Sequence, residues 1–230
     1  MQRASQLFIF EDIATGAPLV ERVWRTHSKP ADSFMSVAAA HWEMVVTTQN
    51  GRPYLTVRGP ETRATPSAIP KDAEFLGIQF QLGTFMPCLP LDRLADGAVN
   101  LPQATDRSFW LNGSAWEFPD HNNADVFVAR LVRKGLLVRD QVVESMLQGQ
   151  VAGRSPRSVQ RRFLRSTGLT YAGVRQIRRA LKAVELLENG VSILDVVHQS
   201  QYADQPHLTR ALRRYVGQTP GQIIRDGRSG

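Results

Sequence analysis

The sequence predicts an α+β protein in two parts: antiparallel strands first, then an all-helical region. Three observations carry that division. Charge is the first. The chain has 28 Lys+Arg and 21 Asp+Glu over 230 residues, a net charge of +7. Residues 1–149 hold 14 basic and 16 acidic residues, whereas residues 150–230 hold 14 and 5. The balances are therefore −2 and +9, so the basicity belongs to the last third. The second observation is the placement of Trp and Pro. All four Trp (Trp24, Trp42, Trp110, Trp116) and ten of the 13 Pro lie at or before Pro119. The last three, Pro156, Pro206 and Pro220, each follow a helix-capping residue (Ser155, Asp204, Thr219). Pro is tolerated in the first turn of a helix, where its missing N–H would have no partner anyway. The third observation is an internal repeat, described below.

The strand-rich part runs from residue 1 to 136. Leu76, Ile78, Phe80 and Leu82 alternate with polar or small residues, the period of a half-buried strand. Glu43–Thr48 and Tyr54–Arg58 flank Gln49-Asn50-Gly51-Arg52-Pro53. Asn-Gly signals a tight hairpin because both turn residues need positive φ. Trp42, Met44 and Val46 share one face of that hairpin. Further strands are expected at Gln6–Phe10 and Leu19–His27. Asn122–Lys134 has helical spacing in Val126, Phe127, Arg130 and Leu131, with Gly135 to end it. These elements predict a small barrel or curled sheet closed by one helix.

The composition narrows the functional classes. One Cys allows neither a disulfide nor a cysteine-based zinc site. Met86-Pro87-Cys88-Leu89-Pro90 has no nearby base to make a thiolate, so a buried, inert Cys88 is expected. His41 and Glu43 share a strand face, but a metal site needs further ligands. No phosphate loop, serine elbow or carboxylate pair is visible. No enzyme, cofactor or metal is therefore expected. The longest apolar stretch, around Phe34–Ala40, is far short of a membrane span. Residues 1–20 lack a secretory pattern. A reducing cytoplasm is the expected setting.

The helical part repeats itself. Ser155-Pro-Arg-Ser-Val-Gln-Arg-Arg-Phe163 aligns with Asp204-Gln-Pro-His-Leu-Thr-Arg-Ala-Leu212 at an offset of 49 residues. At that offset Val159 falls on Leu208, Arg161 on Arg210, Arg165 on Arg214, Gly168 on Gly217 and Thr170 on Thr219. Each unit is a cap, an amphipathic helix, a terminal Gly and a Thr that opens the next helix. Val159 and Phe163 share the buried side, leaving Arg157, Gln160 and Arg161 outside. In the second unit Leu208 and Leu212 are inward, and Gln205, Pro206, Thr209 and Arg210 are outward. Exposed Arg and Gln suit base reading, because Arg pairs bidentately with guanine and Gln with adenine. A short helix precedes each unit: Asp140–Gln148 with Val142, Val143, Met146 and Leu147, and Ser192–Ser200 with Ile193, Val196 and Val197. Helix, turn, exposed basic helix is the helix-turn-helix arrangement. Between the units a helix over 171–188, about 27 Å long, could set two reading helices about one DNA turn apart.

Residues from about 140 to 225 resemble the DNA-binding domain of AraC/XylS-type bacterial transcription regulators. The resemblance rests on Ser155-Pro156, Val159-Gln160-Arg161-Arg162-Phe163, Thr167-Gly168, Ile193, Tyr202, Asp204-Gln205, His207-Leu208, Arg210 and Gly217-Gln218-Thr219-Pro220. It implies two helix-turn-helix units joined by a long helix, within a DNA-binding domain at 137–230. The base-reading positions fall on Arg157, Gln160 and Arg161, and on Gln205, Pro206 and Arg210. Candidate phosphate contacts are Arg165, Arg175, Arg178, Arg179, Lys182, Thr209, Arg213 and Arg214. The sequence departs from the family at Gln201, where a Gly usually precedes the aromatic. It departs again at Gly149, where a small residue usually packs between helices; a helix that ends early or is less stable is expected. Residues 1–136 weakly resemble the sensor or dimerisation domains of such regulators, which are often cupin-like. The expected partner is double-stranded DNA. The resemblance also admits RNA polymerase, a small-molecule effector and a homodimer, and no membrane. The alternative is a ligand-sensing or protein-interaction module whose DNA-binding domain has degenerated.

Overall fold

A computed structural model describes residues 10–17, 19–28, 33–68, 70–150 and 155–228. Two regions of secondary structure follow one another, strands and then helices.

The strands are β1 (Glu11–Ile13), β2 (Val20–His27), β3 (Ser33–Ser36), β4 (Glu43–Gln49), β5 (Arg52–Arg58), β6 (Thr65–Ala68) and β7 (Ala73–Phe80). They continue with β8 (Thr84–Phe85), β9 (Ala98–Asn100), β10 (Gln103–Thr105), β11 (Ser108–Leu111) and β12 (Ser114–Glu117). Helix α1 (Ala124–Arg133) and strand β13 (Val138–Arg139) complete this region. The main sheet has the order β1-β2-β7-β4-β5-β9, with every neighbour antiparallel. Asn50 and Gly51 turn the β4–β5 hairpin at φ +51° and +72°, the double positive φ that the Asn-Gly pair predicts. The strand expected at Gln6–Phe10 lies outside the described residues, apart from Phe10.

Trp42, Met44, Val46, Leu55, Val57, Ile78 and Phe80 form one face of the core. Trp42 stacks on Phe80 at 4.2 Å between centroids and donates its indole N–H to the Thr84 carbonyl at 2.6 Å. Ala124, Phe127, Val128 and Leu131 of α1 close that face, whereas Val126, grouped with Phe127 and Leu131 by spacing, is exposed. Period two suggests that β7 is half-buried, but both faces of the sheet centre are covered. Val45, Thr47 and Gly77 are buried on the second face, where Trp24 lies on Gly77. A Cβ at Gly77 would sit 2.0 Å from that indole. Glu43 is held there by the Trp24 N–H at 3.3 Å and by Arg58 at 3.5 Å. Burial pushes its carboxyl above the usual range. His41 is pushed down to about 4 by burial and by nearby Arg22.

The helical region comprises α2 (Gln141–Leu147), α3 (Pro156–Thr167), α4 (Tyr171–Glu188), α5 (Ile193–Gln199), α6 (Gln205–Val216) and α7 (Pro220–Arg228). Helix α2 stops at Leu147 and Gly149 follows at φ +72°, the early end that this Gly suggests. Two cores hold these helices. One joins α4 to α5 and α6 through Ala180, Val184, Leu187, Val196, Leu208 and Leu212. The other joins Val143, Phe163, Leu169, Val174 and Ile177 to Ala38, a residue of the strand region.

Cys88 corrects an expectation. It is exposed, not buried, because the Pro87 and Pro90 turns carry it outward with their own side chains. Partial burial still holds its thiol above the ordinary value.

Candidate nucleic-acid interface

The two repeat helices, α3 and α6, are equal in length, 12 residues each, and end alike. Gly168 and Gly217 adopt φ +76° and +78°, the left-handed C-cap that the repeat predicts. Their starts differ. The Asp204 carboxylate accepts the His207 N–H at 2.6 Å and caps α6. Ser155 makes no such bond; its carbonyl instead accepts the Ser158 hydroxyl at 2.8 Å. Thr170 and Thr219 cap α4 and α7 as expected, accepting the Gly173 N–H at 3.1 Å and the Gln222 N–H at 3.3 Å. Gln222 returns its side-chain oxygen to the Thr219 N–H at 2.8 Å, completing a capping box.

A clamp that sequence spacing did not show fixes the first unit. Asp140, which caps α2 through the Val142 N–H at 2.9 Å, also accepts Arg162 Nε at 2.8 Å and the Ser166 hydroxyl at 2.7 Å from α3. The Asp140 side chain is only 2% exposed. Burial alone would raise its carboxyl, but Arg162, Ser166 and the Val142 N–H outweigh that and hold it below the usual range. One carboxylate thus ties α2 to α3.

The second unit is held by a different device. Tyr202 is buried, the Arg179 guanidinium lies 4.2 Å above its ring, and His207 meets its edge at 5.2 Å. Gln201, just before it, sits at φ +56° and offers its carbonyl to Arg179 at 3.4 Å. That conformation favours Gly and strains a side-chain-bearing residue. Gln201→Gly is therefore expected to stabilise the protein by about 1 kcal/mol, read as a rise in the denaturation midpoint.

The candidate base-facing side chains fall into two exposed sets. Arg157, Gln160 and Arg161 lie exposed on the N-terminal half of α3; Gln205, Pro206 and Arg210 lie exposed on that of α6. Pro206 offers no donor, only apolar contact or shape. Among the candidate phosphate contacts, Arg165, Arg175, Arg178, Lys182, Arg213 and Arg214 are exposed and Thr209 is half-buried. Arg179 is also half-buried and spends its guanidinium on Tyr202, Gln176 and the Gln201 carbonyl. Lys182 pairs with Glu185 at 3.1 Å, an exposed contact of little energetic weight.

Both repeat helices, α3 and α6, end against the strand region. A helix leaves its last carbonyls without partners. At the end of α6 the strand region supplies two: the Ala64 N–H meets the Arg214 carbonyl at 2.8 Å, and the Ala38 N–H meets the Tyr215 carbonyl at 2.7 Å. At the end of α3, a Cβ on Gly168 would sit 2.7 Å from the Leu91 carbonyl oxygen and 2.8 Å from Pro60. Both C-caps are therefore seated on loops of the first region. These backbone contacts leave no side-chain pattern by which sequence reading could find them.

No helix among the described residues is long and apolar enough to cross a membrane. Nor do three His, Cys, Asp or Glu side chains come together there in a way that would hold a metal. The Glu43 carboxylate is taken by Trp24 and Arg58.

The family described as "Helix-turn-helix domain" matches residues 149–226. The HTH-type transcriptional regulator RipA of Corynebacterium glutamicum is 39% identical over 71 residues, covering 31% of this chain and 22% of RipA. The match thus spans about a fifth of that relative's length. Among solved structures, ToxT from Vibrio cholerae aligns with 94% of this chain and 98% of its own, at 10% identity and a TM-score of 0.39. The repeat, the two glycine-capped helices and the matched segment coincide: residues 149–226 are similar to a helix-turn-helix domain, and they follow a region of antiparallel strands.

Proposed function

We propose that the chain is a sequence-specific DNA-binding transcription regulator that reads adjacent major-groove segments with α3 and α6. The observation that carries this reading is the pair of exposed Arg- and Gln-bearing helix faces, in register within the repeat and set on one rod, α4. Arg157, Gln160, Arg161, Gln205, Pro206 and Arg210 take the base edges. Arg165, Arg175, Arg178, Lys182, Arg213 and Arg214, with the Thr209 hydroxyl, take phosphates. The geometry of Arg179 favours a structural use over a phosphate contact. On this reading residues 1–136 form a controlling domain and 137–230 the reader, with no catalytic role in either. Control by a small-molecule effector, contact with RNA polymerase and dimerisation belong to the same proposal. So does a cytoplasmic setting.

The test is Arg161→Ala in a binding assay with systematically varied duplexes. The substitution should cost about 1–3 kcal/mol and relax preference at one base pair. An equal loss on every sequence would make Arg161 a phosphate contact instead. For the wild type, log K should fall linearly with log salt, by about 0.9 for each phosphate neutralised. A flat salt response would favour the interaction-module alternative.

A further inference from the structure

A cleft of about 650 Å³ opens between α3 and the end of β8. One wall is apolar, built from Phe85 and Pro87 of the strand region. The other is cationic: Arg157, Arg161 and Arg165 follow one another at four-residue intervals, so they line one stripe of α3. Arg162 and Asp140 also line it, and their charges are already spent on each other. Three guanidinium groups therefore line a cleft in which, among the described residues, no further acid answers them. The Ser155 hydroxyl adds a neutral donor to the lining, while that of Ser158 is spent on the Ser155 carbonyl.

We propose that this cleft binds a small organic anion, a phosphate or carboxylate carried on an apolar body, and that occupancy competes with DNA. Its volume lies in the range of small-molecule sites. The chemistry divides as such a ligand would need. Guanidinium forks take the oxyanion through charge-assisted hydrogen bonds, while Phe85 and Pro87 cover the apolar body. Duplex backbone alone answers only half of this lining, because it has no apolar group to set against Phe85. Each half of the site comes from a different region of the chain, so the strand region contributes directly to what α3 can bind. The competition rests on the reading of Arg157 and Arg161 as DNA contacts; the binding itself does not.

The probe is 1-naphthyl phosphate, titrated calorimetrically into the full-length protein without DNA, with inorganic phosphate and 1-naphthol as comparators. Saturable one-to-one binding is expected, about tenfold or more tighter than either comparator. Arg165→Gln should weaken it about tenfold by removing one fork. Pro87→Glu, at an exposed position across the cleft from α3, should do the same by placing a carboxylate opposite the arginines while melting stays unchanged. Absence of saturable binding, or binding indifferent to both substitutions, would overturn the proposal. In a second arm the probe should raise the apparent Kd for target DNA in the wild type and not in Pro87→Glu. Saturable, variant-sensitive binding without that competition would overturn the link to DNA and count against Arg157 and Arg161 as its contacts, leaving the anion site standing.

Discussion

Gly168→Ala should destabilise the protein by about 3 kcal/mol, whereas the equivalent change in the second unit, Gly217→Ala, should cost only about 1 kcal/mol. The two glycines occupy corresponding places in the repeat and share the left-handed conformation, at φ +76° and +78°. An alanine pays the same backbone strain at both. What the new Cβ meets differs. At Gly168 it would approach the Leu91 carbonyl oxygen at 2.7 Å and Pro60 at 2.8 Å, neither able to move without shifting the loop that holds it. At Gly217 it would meet Met35 Cγ at 2.8 Å, on an unbranched side chain that is 42% exposed and can swing aside. Chemical denaturation of both variants measures the contrast. Equal costs would mean that the strand region does not press on the first reading helix. The larger effect should also reach function, because a displaced Leu91 loop tilts α3 and not α6. Gly168→Ala should weaken recognition of one half of the target and spare the other.

Asp140→Ala should cost a similar amount, about 3 kcal/mol, and it too should be confined to the first unit. The substitution strands three donors at once: Arg162 Nε, the Ser166 hydroxyl and the Val142 N–H. Arg162 is half-exposed and can turn to water, but Ser166 is buried and cannot. The larger share of the cost therefore lies with Ser166 and the uncapped α2. Asp140→Asn should be milder, since an amide oxygen still caps α2. The pH dependence has a definite sign. Asp140 titrates lower in the folded chain than in the unfolded one, where its ordinary value is 3.8. Its contribution is therefore fully present well above 3.8 and is lost as the pH falls through the lower folded value. Denaturation midpoints of wild type and Asp140→Ala should stay apart at neutral pH and converge only in strong acid. Convergence already near neutrality would contradict the clamp.

How far such elements could be read from sequence depended on the range of the interactions that make them. Cap residues act within four positions. Gly168, Gly217, Thr170 and Asp204 therefore mark the ends of α3, α4 and α6 to within a residue or two. The β4–β5 hairpin was legible for the same reason, in Asn50-Gly51. The sheet order was not. Strand β7 inserts between β2 and β4, pairing residues from 24 (Gln49–Ala73) to 60 (Val20–Phe80) positions apart, which alternation alone does not specify. Burial of both faces at Val45 and Gly77 depends on Trp24, which nothing local ties to them. The exposed side chains of the candidate interface follow from the helical repeat. Its supports do not: Asp140 and Arg162 are 22 residues apart, and the N–H groups of Ala38 and Ala64 belong to residues with no polar side chain.

Selection of random duplex DNA by the full-length protein, read by sequencing, tests the proposed function most directly. Two working readers on one rod should recover an asymmetric motif of two blocks about 10 base pairs apart. Gly168→Ala and Asp140→Ala should each erode one and the same block, the one that Arg161→Ala identifies as belonging to α3. No enrichment of any sequence at low salt would contradict DNA reading by this chain.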